Sequence, residues 1–144
     1  MQLNGAPPTP DLTTALQRVV HQLKQAQHDD PVDRSAIILL ARLREHATLR
    51  LSDLAAHLCL DVSTVSRQAR ALEERGYVAR ADDPTDGRAV QLTLAEPGRA
   101  VLEIAFRNRQ AWLDRSLAGW SAAERDDLTR SLTKLADALG QTDQ

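Results

Sequence analysis

The feature that most constrains the fold of this chain is the stretch of residues 51–76, LSDLAAHLCLDVSTVSRQARALEERG. It reads as two helices joined by a corner at residues 59–62, and two helices joined by so few residues are typical of a helix-turn-helix. Ser52 is expected to cap the first helix, because its hydroxyl can accept an amide proton of the first turn. The apolar residues of that helix share one face at helical spacing: Leu51, Leu54, Ala55 and Leu58.

The second helix of the pair separates an apolar side from a polar side. Asp61 or Ser63 caps it, and an acidic Asp61 suits the positive end of the helix dipole. Gly76 follows as a stop, because glycine adopts left-handed backbone without strain. The inner side is expected to hold Val62, Val65, Ala69 and Leu72, and the outer side Ser63, Thr64, Arg67, Arg70 and Glu74.

The outer side of this second helix suits a DNA major groove. Short hydroxyls reach phosphates, and arginine can bind guanine through two parallel hydrogen bonds. An amphipathic helix with a merely solvated outer face has the same periodicity. The residues that follow the helix therefore decide between the two interpretations.

After Gly76 the apolar period changes from helical to alternating. Two short strands, at residues 77–80 and 90–94, surround a turn that contains Pro84, Asp86 and Gly87, which predicts a β-hairpin. A hairpin directly after a helix-turn-helix is a wing. A wing lies over the sugar–phosphate backbone and can place an arginine in the minor groove. The tip of this hairpin holds Asp82, Asp83, Asp86 and Arg88.

Helices flank this central unit on both sides. Residues 1–10 are rich in proline and glycine and are expected to form a mobile arm, and a helix begins at Asp11. Pro31 suits the first position of the next helix, whose apolar residues lie on more than one side. A long helix opens at Pro97 and carries about twice the apolar arc of an ordinary surface helix. Ser121 and Glu124 form a capping box ahead of a last helix with a leucine seam.

The pattern as a whole predicts a mainly α fold with a small β-wing, that is, a winged helix-turn-helix with N- and C-terminal dimerisation helices. We expect one domain over residues 11–144. The winged helix-turn-helix lobe spans residues 31–95, and the dimerisation helices span residues 11–30 and 97–140. The apolar surface of the terminal helices suggests a two-fold dimer.

The composition limits the function of the chain. Its net charge is −2, so a DNA-binding protein of this sequence must concentrate its positive charge locally. The four aromatic residues argue against base stacking as the main binding mode. No signal pattern and no run of about 18 apolar residues occurs, so we expect a soluble, cytoplasmic protein without membrane partners. No catalytic motif is recognisable, which predicts that the chain is not an enzyme and needs no cofactor.

Two side-chain types leave alternatives open. Cys59, the only cysteine, is either a packed residue between two leucines or a redox sensor, and a reactive thiol needs exposure and a lowered pKa. The histidines are either solvated or metal ligands, although two residues seven apart are too distant for one ion on a helix. They are His21, His28, His46 and His57.

The order of these motifs resembles the MarR family of winged-helix transcriptional regulators, over about residues 11–140. The resemblance is carried by LSDLAAHLCLDVSTVSRQARALEERGYV, by DPTDGRAVQLTL in the wing and by the following PGRA. Asp86 and Arg88 match the D-x-R of the family's wing. The resemblance implies that Arg88 enters the minor groove while Asp86 helps to hold it. The start of the family's recognition helix is matched by Ser63, Thr64, Ser66 and Arg67, with Arg70 one turn later.

Two positions depart from the family pattern. Cys59 replaces the glycine that is frequent at the corner, and in left-handed backbone it would cost about 1 kcal/mol. Gly87 stands where many members carry a second wing arginine, which predicts a weaker minor-groove contact.

The resemblance implies a homodimeric, ligand-responsive repressor that binds double-stranded DNA at a near-palindromic operator. A small-molecule effector is expected between the DNA-binding lobe and the dimerisation helices. The alternative is a winged-helix dimer used for protein contact or small-molecule sequestration without DNA binding. The hydroxyl-rich start of the second helix and the wing arginine favour DNA.

Overall fold

The computed structural model describes residues 10–26 and 29–142, so the predicted arm of residues 1–10 lies outside the described residues except for Pro10. Within this part, six helices and three short strands confirm the predicted mainly α fold with a β-wing. In chain order they are α1 (Leu12–Gln25), α2 (Arg34–Glu45), β1 (Leu49–Arg50), α3 (Leu51–His57), α4 (Val62–Glu74), β2 (Val78–Asp82), β3 (Val90–Leu94), α5 (Glu96–Ser116) and α6 (Ala122–Thr142).

Helix α2 forms the centre of the hydrophobic core, as its two-sided apolar pattern predicts. It packs against α3, α4, α5 and β3, and Leu39, Leu40 and Leu43 are almost completely buried. Ile38 is the exception among its large apolar residues and is 47% exposed. The helix therefore supplies the surface on which the helix-turn-helix rests.

The start of α2 differs from the prediction that Pro31 is its first residue. The helix begins at Arg34, and the carboxylate of Asp33 caps it by accepting a first-turn amide at 2.8 Å. The side chain of Asn108 on α5 binds residues 29 and 30 by hydrogen bonds of 3.0 and 2.9 Å. These two interactions keep the segment around Pro31 outside the helix.

Helices α3 and α4 form the predicted helix-turn-helix. Asp61 is the N-cap of α4, and the inward position of Val65, Ala69 and Leu72 is confirmed by their burial. The prediction for Val62 is wrong, because this residue is 48% exposed. Val62 is the first residue of the helix and lies ahead of the turn that packs on the core.

The first helix of the pair begins before its predicted cap. Helix α3 starts at Leu51, and its N-cap residue, Arg50, makes no side-chain capping bond. Leu49 and Arg50 form β1, which pairs with β3. Because this strand leads directly into the helix, Ser52 lies inside the first turn and does not cap it.

The three strands form an antiparallel sheet in the order β1-β3-β2. The β2–β3 hairpin confirms the predicted wing, and its register pairs Val78 with Leu94 and Asp82 with Val90. Leu92 on β3 is fully buried, and this strand packs against α2 and α3. The wing is therefore joined to the helix-turn-helix through the centre of the sheet.

The terminal helices leave apolar side chains uncovered in the single chain. Helix α1 buries no residue, and α5 buries only residues of its first half, such as Val101, Leu102 and Ala105. The wide apolar arc of α5 implies two packing partners, and within the described residues the chain itself does not supply the second. The exposed large apolar residues of these helices are Leu12, Leu16, Val19, Val20, Leu23, Ile104, Leu132 and Leu139.

Helix α6 begins at the predicted capping box. The Glu124 amide donates to the Ser121 hydroxyl at 3.2 Å, and the Ser121 amide donates to the Glu124 carboxylate at 2.7 Å. In the part of the chain that the structure describes, neither this helix nor any other is long and apolar enough to span a membrane.

Gly98 lies where the start of α5 meets the chain that follows α4. A Cβ at this position would lie 2.1 Å from the carbonyl oxygen of Tyr77. That carbonyl also accepts the Ala95 amide at 3.1 Å, so the two backbone segments cannot separate without losing a hydrogen bond. Close backbone approach is therefore the reason for glycine here.

We predict that Gly98→Ala lowers the free energy of unfolding by about 1–3 kcal/mol, the usual cost of overpacking. Gly140→Ala in α6 is the matched control, since nothing lies within 4 Å of the added Cβ, and it should raise stability by up to about 1 kcal/mol. Urea denaturation of both variants measures the difference. Equal effects of the two substitutions would contradict the close approach.

Candidate nucleic-acid interface

Asp61 organises the start of α4. Its carboxylate accepts hydrogen bonds from the Ser63 hydroxyl at 2.5 Å, the Thr64 amide at 2.7 Å and the Thr64 hydroxyl at 2.9 Å. These bonds, that from the Ser63 hydroxyl first among them, lower the pKa of Asp61 to about 2. The carboxylate therefore stays ionised at neutral pH, at the positive end of the helix dipole.

The capping bonds occupy the two hydroxyls that sequence reasoning assigned to phosphate. A hydroxyl has one donor proton and two acceptor sites, and the protons of Ser63 and Thr64 both point at Asp61. Either hydroxyl can donate to a phosphate only after it rotates away from the cap. The structure thus places both residues at the start of α4, with their hydroxyls already donating to Asp61.

Arg67 and Arg70 lie on the exposed side of α4, opposite its buried residues. Within residues 10–26 and 29–142, neither guanidinium takes part in an ion pair. Ser66, the remaining predicted contact on this helix, is half-buried. The helix therefore presents two unengaged arginines one turn apart.

The corner between α3 and α4 is closed by two main-chain hydrogen bonds. The Leu60 amide donates to the Ala55 carbonyl at 3.0 Å, and the Cys59 amide donates to the Ala56 carbonyl at 3.1 Å. This is a Schellman motif, which requires a left-handed residue after the helix. That residue is Cys59, with a φ of 52°.

The same motif ends α4 with a glycine in the left-handed position. Gly76 has a φ of 75°, and the amides of Gly76 and Tyr77 donate to the carbonyls of Glu73 and Leu72, each at 2.9 Å. The predicted stop at Gly76 is thereby confirmed. Of the two alternatives for Cys59, the packed one is contradicted, because the residue is exposed; the left-handed turn carries the side chain away from the core.

The wing loop of residues 83–89 is built from two aspartate turns. The Asp86 carboxylate accepts the main-chain amide of Arg88 at 3.1 Å, so it holds the backbone of the wing arginine and not its side chain. Arg88 is exposed, and its guanidinium has no ion-pair partner among the described residues.

Asp83 and Arg50 were not recognised as site residues from the sequence. The Asp83 carboxylate accepts the Thr85 amide and the Thr85 hydroxyl at 2.8 and 2.7 Å and the Arg50 side chain at 2.6 Å. The bonds from Thr85, followed by that from Arg50, lower the pKa of Asp83 to about 2. The two partners are separated by 33 residues, and only the pairing of β1 with β3 brings them together.

A groove of about 250 Å³ separates the wing from the helix-turn-helix. Arg50, Ser52, Val62 and Arg88 are among the residues that line it. This wing groove therefore brings the wing arginine beside the first residue of α4. A helix-turn-helix whose second helix exposes arginines, followed by a hairpin that exposes another, defines the chain as a winged helix-turn-helix protein.

His21, His46 and His57 are the histidines that the structure describes. The rings of His46 and His57 contact each other edge to face, with centroids 5.1 Å apart. Across the described residues, no cluster of three or more His, Cys, Asp or Glu side chains is suited to a metal ion. His28 lies outside those residues.

Comparison with known proteins identifies the family. A sequence model of the MarR family matches residues 33–90. The chain is 32% identical over 129 residues to the HTH-type transcriptional regulator YxaD of Bacillus subtilis (strain 168), covering 90% of each chain. The chain belongs to the MarR family, and it is a helix-turn-helix transcriptional regulator, which confirms that it is not an enzyme.

Solved structures agree with this assignment. BpsR of Bordetella bronchiseptica is 28% identical with a TM-score of 0.62, and the match covers 87% of this chain and 95% of BpsR. A mutant of MarR from E. coli, complexed with operator DNA, shares the fold with a TM-score of 0.65 at 22% identity, covering 88% of this chain and 99% of that one.

We predict that Cys59→Gly raises the free energy of unfolding by about 1 kcal/mol, because it removes the left-handed strain of a residue with a Cβ. Gly76→Ala, at the equivalent position of the second Schellman motif, should lower it by a similar amount. Thermal and urea denaturation of both variants measure these changes. Destabilisation by Cys59→Gly would show that the thiol makes a contact worth more than the strain.

Proposed function

We propose that this MarR-family regulator binds double-stranded DNA sequence-specifically, as a homodimer on a near-palindromic operator, and acts as a ligand-responsive repressor. The observation that carries the proposal is the common exposure of Arg67, Arg70 and Arg88, none of which has an ion-pair partner among the described residues. A chain with a net charge of −2 must concentrate positive charge at its DNA surface, and unpaired arginines on α4 and on the wing supply that charge.

Each predicted contact residue has a separate role in this proposal. Arg67 and Ser66 contact base edges in the major groove, and Arg70 contacts phosphate. Ser63 and Thr64 contact phosphate after release from Asp61, or accept hydrogen bonds from base donors. Arg88 enters the minor groove, where the potential is most negative, while Asp86 shapes the turn behind it.

The dimer is supported by the uncovered helices. We assign residues 31–95 to the DNA-binding lobe and residues 11–30 and 97–140 to dimerisation. Leu12 is 75% exposed, Val19 51% and Leu132 50%, and a row of such residues in water is unfavourable by about 25 cal/mol per Å² of apolar surface. A second copy of the chain would cover them and place two copies of α4 one helical turn of DNA apart.

The effector is proposed to bind between the lobe and the dimerisation helices. A cavity of about 150 Å³ lies there, lined by Ala26 beyond α1, by Ile37 of α2 and by Arg109 of α5. BpsR, a relative of this chain, is regulated in its DNA binding by 6-hydroxynicotinic acid. A ligand changes DNA affinity only if it prefers one spacing of the two α4 helices over another.

We predict that Arg67→Ala relaxes specificity by about 1–3 kcal/mol at one base pair of each half-site, because a bidentate arginine–guanine contact is lost. Arg70→Ala is the control, and it should weaken binding to all sequences more evenly. Affinities for a panel of single-base variants of the bound duplex measure both. If Arg67→Ala left the ranking of these duplexes unchanged, Arg67 would not read bases.

We predict that Arg88→Ala weakens binding to most sequences and reduces the slope of log K against log salt by about one for each wing. Arg130→Ala removes the same charge from an exposed position on α6 and should leave the slope unchanged. Fluorescence anisotropy across a salt series makes the comparison. Identical slopes for wild type and Arg88→Ala would show that the wing arginine does not contact the DNA.

A further inference from the structure

The root of the wing contains an unusual buried charge. Among residues 10–26 and 29–142, Asp83 is the only buried charged residue, and its side chain is 2% exposed. Its partner Arg50 is half-exposed, at 42%. A buried carboxylate is costly unless it is paired and hydrogen-bonded. The loop around Asp83 must therefore supply those partners.

Asp83 closes the wing loop from inside. Its side chain binds the amide and hydroxyl of Thr85, and its own amide donates to the Ala89 carbonyl at 3.0 Å. Arg50 then binds both ends of this turn, donating to Asp83 at 2.6 Å and to the Thr85 hydroxyl at 3.3 Å. The loop is thereby fixed to β1 by a side chain as well as by the sheet.

Arg50 occupies the junction of three elements. It is the last residue of β1, it precedes the first residue of α3, and its main chain pairs with Gln91 of β3. Its side chain therefore connects the beginning of the helix-turn-helix to the loop that carries Arg88. Both arginines line the wing groove.

We propose that Arg50 and Asp83 are positioning residues for DNA binding: their ion pair sets the angle of the wing relative to α3 and α4, so that Arg88 meets the minor groove while α4 lies in the major groove. This inference rests on the proposed DNA-binding function. Without the pair, the loop must be ordered when DNA binds, and that ordering reduces affinity.

Asp83→Asn distinguishes a positioning role from a purely electrostatic one, because the two roles predict opposite changes in DNA affinity. Removal of a negative charge near a polyanion strengthens binding if charge alone matters. Positioning predicts instead that Asp83→Asn weakens binding by about tenfold, a middle value for residues coupled in one hydrogen-bond network. The matched control is Asp82→Asn, which removes the same charge from an exposed neighbouring residue and should bind DNA as tightly as wild type or slightly more tightly.

A double-mutant cycle then tests whether the pair acts through the wing arginine. In an Arg88→Ala background, Arg50→Ala should cost little further affinity and leave the salt slope unchanged. If Arg50 itself contacts phosphate, the two losses add and the slope falls by about one more for each subunit. Additive losses would therefore overturn the positioning role.

The measurements use the full-length chain and a fluorescein-labelled duplex recovered by selection from a random library. Thermal melts show whether each variant folds; if Asp83→Asn does not, Arg50→Lys carries the test. It keeps the charge, so electrostatics predicts no loss of affinity, whereas positioning predicts about a tenfold loss, because lysine lacks the fork that binds Asp83 and Thr85 together. Equal affinities of Asp83→Asn and Asp82→Asn, with wild type binding normally, overturn this inference alone. A wild-type protein that binds no duplex overturns the proposed function as well.

Discussion

The inner side of α4 is held to the core by Val65, Ala69 and Leu72, and the rest of the structure depends on this packing. Burying a valine or leucine side chain contributes about 1.5–3 kcal/mol, and Val65 and Ala69 have no exposed surface at all. Because these residues occupy one face of a helix, the arginines at the intervening positions must face solvent. The core thus determines which side of α4 a duplex can meet. Helix α2 and the sheet serve mainly to support that face.

Each helix of the helix-turn-helix is followed by a left-handed residue, Cys59 after α3 and Gly76 after α4. The turn at Cys59 sets the angle between α3 and α4, and the turn at Gly76 directs the chain into the wing. Gly98 then lets α5 pass close to the Tyr77 carbonyl, which fixes the wing strands against the long helix. These three backbone constraints therefore set the positions of the wing, of α4 and of the proposed dimer helices relative to one another.

Local sequence patterns predicted the helices and strands. Contacts between residues distant in sequence determined features that these patterns did not predict. The helix-turn-helix, the hairpin and the capping box at Ser121 depend on residues within a few positions of one another, so periodicity and cap chemistry were sufficient. The predicted start of α2 at Pro31 was wrong because the Asp33 carboxylate caps the helix. Asn108, which is distant in sequence, also binds the segment before that cap. The Arg50–Asp83 pair was not predicted from the sequence for a similar reason. No periodic pattern marks two charges that meet only after β1 and β3 have paired.

In the proposed function, two copies of α4 present their arginine-bearing sides to successive major grooves of one duplex. The most direct test is selection of bound DNA from a random library with the purified full-length chain, followed by sequencing of the bound fraction. Paired subunits predict an inverted repeat whose half-sites lie about 10–10.5 base pairs apart, centre to centre. Enrichment of a single, asymmetric site, or no enrichment at low salt, would contradict it.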